Sequence, residues 1–554
     1  MPTSISVSTR WNGSRRMDTL VAFITKEFFT PPGGSDWNGP GLLEKRVSAL
    51  SPAESPLIGE GPLRVYLRSL HRHGDVLFGI VRHDSSDPAG ALPEGARTLF
   101  LAAGTRPPTA IPGELRLAEH SAASPWVATA ELSVENARAL HRIFPWTQPC
   151  SLRGQRTTIG MGDRLGLATA GHIRAARQFK VAPVLAQQSV RENDLIGRTF
   201  DDVVADATWG VFQEGYRSGY GADGDHLKTI DSIDTALAAA MPMITLDLTE
   251  VMRPEVAEWS DEEIEREFRD LEETFRRRVL EEYAGHHFPL GGSGEISFTA
   301  AEARRCAVMY GPAIAFSRLV NDHLDKTTGG EYDLEISIDE TTTPTLPAHH
   351  LFIARELQHR GVLVNSLAPR FIGEFQKAVD YEGDMEEFTS QFRRHCLIAH
   401  AYGNYKISLH SGSDKFTVYP VVGRETGLRV HLKTSGTSWL EGLRTIAVHD
   451  PGLYRRIHRF ALTCYPRALN YYHVSADFDA ISPLEEVADE ELPRFLEDDN
   501  ARQMLHISYG WILADRDLKQ SIHGALHHLE EEYAEMLRLH FEKHIGLLGA
   551  PREV

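Results

Sequence analysis

The sequence predicts an α/β protein whose centre is a (β/α)8, TIM-like barrel. Two observations predict this fold: eight short apolar runs of strand length follow one another after about residue 155, and helical patterns lie between them. A doubly wound open sheet is the alternative, but no Gly-x-Gly-x-x-Gly motif follows the first run, so a dinucleotide site is not supported. The runs are residues 158–169, 181–188, 220–229, 242–250, 332–340, 363–371, 405–412 and 428–436.

Changes of pattern along the chain predict three regions. Residues 1–150 are rich in Pro and Gly and carry three apolar runs and one helical pattern, which predicts an α+β accessory region. Residues 151–483 hold the predicted barrel, with a mostly helical insertion of about 80 residues between its fourth and fifth strands. Residues 484–554 are first acidic and then helical, and we expect this C-terminal extension to cover the barrel or to form an oligomer contact.

The composition argues against several classes of protein. The 554 residues carry 58 Lys and Arg against 77 Asp and Glu, a net charge of −19, which argues against nucleic acid as the main partner. The four cysteines form no Cys-x-x-Cys pair, so neither a disulfide framework nor a cysteine zinc site is predicted. No apolar run approaches the roughly 20 residues that cross a bilayer, and the N-terminus lacks a signal-peptide core. The sequence therefore predicts a cytoplasmic enzyme.

Charged residues alternate with apolar residues on the predicted strands. Because successive side chains of a strand point to opposite faces, Leu334 and Ile336 would pack against helices while Glu335 and Asp339 would point into the barrel. The same alternation places other polar residues inside: Asp247, Lys406, Ser408, His410, His431 and Lys433. Buried charges must pair, bind a metal or meet a polar ligand. An ion-pair network that only specifies packing is the alternative to an active site at the carboxyl ends of the strands.

Two histidines at strand ends indicate a divalent metal site. His226 ends the third run and His410 the seventh, and two imidazoles with one carboxylate can hold zinc, manganese, nickel, cobalt or iron, which the sequence does not distinguish. The candidate carboxylates are Glu374, Asp339, Glu340 and Asp163. Adjacent histidines in helical or loop segments are discounted, because neighbours in sequence do not share a helix face.

Basic residues near the same strand ends predict an anionic substrate. Lys406, Lys433 and Arg370 suit a small anion, since lysine offers a point charge and arginine a planar fork. No phosphate-binding glycine loop is present in the sequence, so a carboxylate is favoured. Asp225, next to His226, could orient that histidine or act as a base.

Several of these segments resemble the tagaturonate epimerase family. The resemblance covers about residues 155–480 in the same order along the chain, and rests on "GMGDRLGLATAGHIRAAR", "GADGDHLKT", "ISIDETTTPT", "SLAPRFIGEFQKAVDYEGD", "YKISLHSGSDKFTVYP", "HLKTSGTSWLEGLR" and "YYHVSADF". It implies a divalent-metal-dependent isomerase that interconverts D-tagaturonate and D-fructuronate. Family members that act on neutral ketohexoses leave a fructose/tagatose 4-epimerase as an alternative.

The resemblance also implies roles for individual residues. The implied catalytic acid/base residues are Asp225 and Glu335, and the implied metal ligands are His226, Glu374 and His410. Asp339 fits the second catalytic position as well, although Glu335 is preferred. The residues expected to contact the substrate are Asp163, Arg164, Asp339, Lys406 and Lys433.

The implied reaction restricts the mechanism. The two ketouronates differ at a carbon β to the ketone, whose C–H bond the carbonyl does not acidify. Retro-aldol cleavage and re-formation can invert this carbon, and a route through successive enolisations is the alternative. Two other functions stay open at this point: a class II metal-dependent sugar-acid aldolase, and a non-catalytic protein that binds sugar acids on a barrel.

Overall fold

The predicted (β/α)8 barrel is confirmed in the computed structural model of the chain. The structure describes residues 15–28, 47–51, 54–59, 61–84, 94–104, 108, 110–118, 125–341 and 343–553. Eight parallel strands close the barrel, and the last strand pairs with the first. They are β1 (Thr157–Met161), β2 (Ala182–Ser189), β3 (Gly221–Leu227), β4 (Met243–Asp247), β5 (Asp333–Ile338), β6 (Ser366–Pro369), β7 (Lys406–Leu409) and β8 (Val430–Thr434).

The alternation in the sequence decides which way the side chains of the barrel strands face. On β5, Leu334 and Ile336 are fully buried in the large apolar core that the barrel shares with its helices. Glu335, between them, is also fully buried but points inward, where its register partners are Thr245 of β4 and Ser366 of β6. Polar side chains from neighbouring strands therefore meet inside the barrel at the same height.

Helices surround the barrel and continue into the rest of the chain. Local sequence sets their ends: helix Phe200–Glu214 begins with a capping box at Thr199 and ends at Gly215, whose φ of +57° is a left-handed conformation that glycine adopts without strain. The described α-helices are Arg15–Phe28, Val134–Ile143, Thr169–Ala176, Val190–Ile196, Phe200–Glu214, Ile230–Ala238, Asp261–Asp270, Glu273–Glu282, Ala300–Thr328, Pro347–His359, Met385–Ala401, Tyr419–Thr426, Thr437–His449, Pro451–Ala468, Asp499–Ile507, Tyr509–Ala514, Arg516–His528 and Glu530–Leu548.

The N-terminal region is an antiparallel sheet, which confirms the predicted α+β accessory region. Its seven described strands are Leu57–Ile58, Leu63–Tyr66, His71–His73, Val76–His83, Arg97–Ala103, Arg116–Leu117 and Trp126–Ala130. One apolar cluster joins this sheet to the barrel, because Trp209 and Phe212 of helix Phe200–Glu214 pack into it. The insertion between β4 and β5 is mostly helical, as predicted, and adds the short hairpin His287–Pro289 and Glu295–Ser297.

The helical C-terminal extension lies against the barrel helices. Its last helix, Glu530–Leu548, packs on helices Thr169–Ala176, Tyr419–Thr426 and Thr437–His449. The extension therefore covers the barrel, which is one of the two arrangements that we expected. The domain boundaries at residues 150 and 484 stay a prediction. Within the described part of the chain, every helix is too short or too polar to cross a membrane.

Candidate active site

A cavity of about 310 Å³ opens at the carboxyl ends of the barrel strands. Residues of β3 and β8 line it, together with residues at the ends of β2, β5, β6 and β7. Its ionisable lining residues are Arg191, Asp225, His226, Asp339, Glu340, Arg370, Glu374, Lys377, His410, Lys433 and His473. Because barrel enzymes carry their active sites at this face, the cavity is the candidate active site.

His226, Asp339 and His410 form a cluster that fits a divalent metal. Each residue offers one ligand atom, and these atoms lie within 4.8 Å of one another. The Nδ1 atoms of both histidines are buried and make no aligned hydrogen bond within the described chain. Two buried imidazole nitrogens beside a carboxylate are the donor set that zinc, manganese and iron use in proteins. The residues present therefore fit the metal that the sequence predicts.

An unusual backbone conformation brings His226 into this cluster. The register of β3 on β4 shifts between Gly224 and Leu227, and His226 has a φ of +58°. A left-handed conformation is uncommon for a residue with a side chain, and such conformations concentrate at functional sites. At this bulge the imidazole of His226 comes to 5.1 Å from that of His410, measured between ring centres.

His410 lies between two carboxylates. Its Nε2 atom is 2.7 Å from Oε1 of Glu335, and its Nδ1 atom is 3.0 Å from Oδ1 of Asp339. Burial favours the neutral ring, but the two carboxylates outweigh it and raise the pKa of His410 to about 10. The surroundings therefore favour a positive charge at this point, and a divalent cation would meet the same requirement.

Lys433 neutralises three buried carboxylates beside this cluster. Its Nζ atom lies 2.7 Å from Asp223, 2.6 Å from Asp225 and 3.0 Å from Glu335. Burial alone would raise the pKa of each carboxyl group, yet the ammonium lowers the pKa values of Asp225 and Glu335 below their usual range. For Asp223 burial prevails and raises the pKa to about 6. Both predicted acid/base residues are thus held by one ammonium group, ionised and able to accept a proton.

The predicted ligand Glu374 lines the same cavity but lies outside the cluster of three residues. Its loop, which follows β6, is held by a pair of backbone hydrogen bonds between Glu374 and Glu382. Asp339, directly after β5, has the position beside His410. The sequence offers both carboxylates as ligands, and the choice of Glu374 as the third ligand stays a prediction.

The predicted substrate-binding residues separate into two groups. Asp339 and Lys433 line the cavity. Asp163 instead accepts three backbone N–H groups of the loop after β1, and Arg164 pairs with a buried glutamate at 2.5 Å. Lys406 is buried within the barrel and donates to a threonine hydroxyl 3.2 Å away. The structure does not bring these last three side chains to the cavity, and their contact with substrate stays a prediction.

Two cations in the lining of the cavity are not apparent from the sequence pattern. Arg191, in the helix after β2, and Lys377, in the loop after β6, line the cavity together with Arg370. Arg191 lies at the start of a helix and Lys377 lies in a loop, and neither has a period that predicts the direction of a side chain. Of the three cations, the sequence therefore predicts only Arg370, which lies in the sixth apolar run. The available signal for Lys377 is its position three residues after Glu374, within a segment that resembles the family.

A second group of two histidines and an aspartate, Asp414, His540 and His544, joins the loop after β7 to the last helix. Asp414 accepts from His540 Nε2 at 2.8 Å and from Arg502 at 2.9 Å, and its own N–H donates to His544 at 3.1 Å. These contacts satisfy the polar atoms without a metal, and the arginine opposes a further cation. We therefore infer that this group stabilises the loop that follows His410 by fixing it to the last helix.

Replacing His540 by glutamine should lower the thermal stability more at pH 6 than at pH 9. Burial favours neutral His540, but Glu441 and Asp414 outweigh it and raise its pKa. The stability from this charged histidine is fully present below the unfolded pKa of about 6.5 and is lost as pH rises through the raised folded pKa. We expect the unfolding midpoint, followed by circular dichroism, to fall by roughly 1–3 °C at pH 6 and by less at pH 9.

His523→Gln is the matched control for this experiment. His523 lies on the preceding helix, and burial lowers its pKa, which is the opposite direction to His540. A histidine with a lowered folded pKa adds no stability as pH falls, so His523→Gln should not lower the midpoint more at pH 6 than at pH 9. A loss for His540→Gln that does not depend on pH would contradict a charged His540.

Comparisons with known proteins agree on one family. The family model described as UxaE, tagaturonate epimerase, matches residues 95–548. The tagaturonate/fructuronate epimerase of Thermotoga maritima is 41% identical over 418 residues, which cover 76% of this chain and 86% of that protein. Two crystal structures of the fructuronate-tagaturonate epimerase of Cohnella laeviribosi, a glycerol complex and the native form, have TM-scores of 0.82 and 0.81. The two crystallised chains are 40% and 39% identical to this chain, and each match covers 92% of this chain and 99% of the crystallised chain.

Proposed function

This chain belongs to the tagaturonate epimerase family and is an isomerase, and we propose that it interconverts D-tagaturonate and D-fructuronate with one divalent metal ion. The observation that carries the proposal is the arrangement of the cavity. A cluster of His226, Asp339 and His410 lies beside two carboxylates, Asp225 and Glu335, that share the ammonium of Lys433. This arrangement would hold a metal that acts as Lewis acid, and it supplies the proton-transfer groups that the reaction needs.

The proposed metal ligands are His226 and His410 with one carboxylate. Asp339 is the carboxylate that lies within the cluster, and Glu374, across the same cavity, is the one that the family resemblance implies. When bound, the metal would act as a Lewis acid on the keto oxygen of the substrate and stabilise the negative charge that develops there. Zinc, manganese, nickel, cobalt and iron are all compatible with this ligand set.

Asp225 and Glu335 are proposed to move the proton of the hydroxyl group on the β carbon. One of them removes this proton, the bond between the α and β carbons breaks, and the β carbon becomes an aldehyde. The electron pair of the broken bond passes to the α carbon and is delocalised towards the keto oxygen. The aldehyde then presents its other face, the bond re-forms, and the second acid/base residue protonates the new hydroxyl oxygen.

Lys433 can keep this proton transfer balanced. Its Nζ atom lies within 3.0 Å of both carboxylates, so the ammonium can first give a proton to the carboxylate that protonates the new hydroxyl oxygen, and can then take one back from the carboxylate that received the hydroxyl proton. The protonation state is then restored after each turnover, in either direction of the reaction. This role differs from the binding of the substrate carboxylate, since the ammonium already has three carboxylate partners.

Removal of the metal should abolish the reaction, and its return should restore it. We expect NMR to show conversion of D-tagaturonate into D-fructuronate by the metal-loaded enzyme. Treatment with EDTA and gel filtration should lower the rate by at least about 100-fold, since a Lewis acid supplies several kcal/mol to the transition state. Re-addition of zinc, manganese, nickel, cobalt or iron, each tested alone, identifies the active metal. An unchanged rate after complete removal of metal would overturn the metal proposal.

The same NMR experiment separates the alternative functions. Accumulation of three-carbon products would indicate a class II sugar-acid aldolase, and faster conversion of tagatose into fructose would indicate a 4-epimerase of neutral ketohexoses. In heavy water, deuterium at the inverted carbon would contradict the direct retro-aldol route and favour successive enolisations. The cytoplasmic location and the formation of a homo-oligomer stay predictions.

A further inference from the structure

The positive charges of the cavity are not equivalent. Lys433 is neutralised by three carboxylates within 3.0 Å. Arg191, which is 45% exposed, is 4.0 Å from Glu340 and lies over the ring of Tyr472. Lys377 and Arg370, by contrast, have no carboxylate within ion-pair distance among the residues that the structure describes. Two cations of the cavity wall are therefore available to an anion from outside.

Lys377 is held in place without an ion-pair partner in the described chain. Its Nζ atom donates to Oγ of Ser411 at 3.0 Å, and Ser411 directly follows the cluster residue His410. Burial lowers the pKa of Lys377, and the attraction of Glu192, which lies beyond ion-pair distance, only partly offsets this effect. A half-buried charge of this kind gains when a ligand pairs with it.

The segment that carries Lys377 is braced on several sides. The side chain of Gln376 accepts hydrogen bonds from the backbone of Ser475 at 2.8 Å and from Gln503 at 2.9 Å. Its backbone carbonyl accepts a further bond from the buried ammonium of Lys415 at 2.8 Å. Lys377 is thus presented by a fixed loop, which reduces the entropy lost when it binds a ligand.

We propose that Lys377, together with Arg370 in the lining of the same cavity, binds the carboxylate of the substrate and sets the preference for ketouronates over neutral ketohexoses. This inference rests on the proposed function, since it places one end of the same substrate. A lysine point charge and an arginine fork together suit a carboxylate. A neutral ketohexose has a hydroxymethyl group at this end and would leave both cations unpaired.

This subsite also has a role in the proposed mechanism. Cleavage between the α and β carbons gives a three-carbon fragment that carries both the new aldehyde and the carboxylate. A fragment held at its carboxylate by Lys377 can turn its aldehyde face without leaving the cavity. The ammonium is bonded to Ser411, the residue next to His410, so the carboxylate would be held close to the reacting carbons.

The test compares Lys377→Met and Lys377→Arg with the control Lys519→Met in metal-loaded enzyme. Lys519 lies on a C-terminal helix and its Nζ atom contacts only the carbonyl of Ile196, at 3.4 Å, within the described chain. We expect Lys377→Met to lower kcat/KM for D-tagaturonate by about 30- to 100-fold, mostly through KM, because a charged hydrogen bond is lost. Lys377→Arg should recover part of this loss, and Lys519→Met should match the wild type.

A second measurement uses glycerate and glycerol as ligands. Glycerate resembles the carboxylate-bearing fragment with an alcohol in place of its aldehyde, and glycerol lacks the carboxylate. We expect wild-type enzyme to bind glycerate at least about tenfold more tightly than glycerol, judged by thermal shift, and Lys377→Met to lose this difference. The metal content of each variant is measured so that a loss of metal is not mistaken for a loss of the subsite.

The possible failures are distinguishable. If wild-type enzyme does not convert D-tagaturonate, the proposed function is wrong. If it does, but Lys377→Met stays within about threefold of the wild type or keeps the preference for glycerate, then Lys377 is not the carboxylate anchor.

Discussion

Replacing His410 by asparagine should remove the bound metal and lower kcat/KM for D-tagaturonate by about a thousandfold. The imidazole contributes one of the ligand atoms that lie within 4.8 Å of one another at the end of β7. A bound metal supplies several kcal/mol to the transition state, and each 1.36 kcal/mol corresponds to a factor of ten in rate. The measurement is the metal content after gel filtration, by mass spectrometry, together with the epimerisation rate by NMR.

Two controls make the His410 result specific. His286→Asn changes an exposed histidine outside the cavity and should keep both the metal and the rate. Excess metal should restore part of the activity of His410→Asn, since His226 and Asp339 remain in the cluster. A variant that binds metal at full occupancy and stays within tenfold of the wild-type rate would exclude His410 as a ligand.

The barrel and the direction of its polar residues could be predicted from the sequence because both depend on local periodicity. A strand has a period of two, so a charge between two apolar residues must face the barrel interior, as Glu335 does between Leu334 and Ile336. The same alternation predicts the inward direction of His410. His226 is predicted only from its position at the end of a strand, because alternation with the inward Asp223 and Asp225 would point it outward and the bulge at this position brings it into the cluster. These predictions required no knowledge of how the loops fold.

Periodicity does not give the depth of a side chain along the barrel axis. Lys406 and His410 both point inward from the β7 segment, but they are four positions apart, which is about 13 Å of extended chain. His410 therefore reaches the cavity, whereas Lys406 lies deeper and contacts a hydroxyl group. A prediction that uses only the inward direction of the side chain therefore names both Lys406 and His410 as site residues.

Loops are the second limit on prediction from the sequence. Asp339 and Glu374 both follow barrel strands, and only the paths of their loops decide which carboxylate lies beside the histidines. Lys377 is placed by long-range contacts, among them those of Gln376 with Ser475 and Gln503, about 100 and 127 residues away in the chain. No local pattern encodes such contacts.

The second large effect is expected for Lys433→Met, which should both destabilise the fold and abolish activity. The substitution leaves Asp223, Asp225 and Glu335 buried without their ammonium partner. Removing one member of a buried ion pair costs about 3–5 kcal/mol, so we expect the unfolding midpoint at pH 7.5 to fall by roughly 3–5 °C. The rate should fall by on the order of a thousandfold, because the proton-transfer groups lose their orientation and their lowered pKa values.

The loss of unfolding midpoint in Lys433→Met should depend on pH, because it comes from carboxyl groups that can take up protons. Between pH 5.5 and 7.5 the raised pKa of Lys433 keeps its ammonium charged in the folded wild type, as it is in the unfolded chain, whose pKa is about 10.4. In Lys433→Met the three carboxyl groups lose the partner that lowers their pKa values, so they take up protons as pH falls. Protonation removes the unpaired charge, and the difference in midpoint from the wild type should therefore be smaller at pH 5.5 than at pH 7.5.

A second substitution and a matched lysine separate charge from packing in this result. Lys433→Met combined with Asp223→Asn removes one of the three unpaired charges and should recover part of the midpoint while activity stays low. Lys406→Met changes another inward, buried lysine whose hydrogen-bond partners are the hydroxyl of Thr158 and the carbonyl of Leu152. Methionine fills the same space there and leaves no carboxylate within ion-pair distance unpaired, so Lys406→Met should lower the midpoint less than Lys433→Met. Equal losses for the two lysines, or no recovery in the double variant, would show that packing rather than charge balance makes Lys433 important.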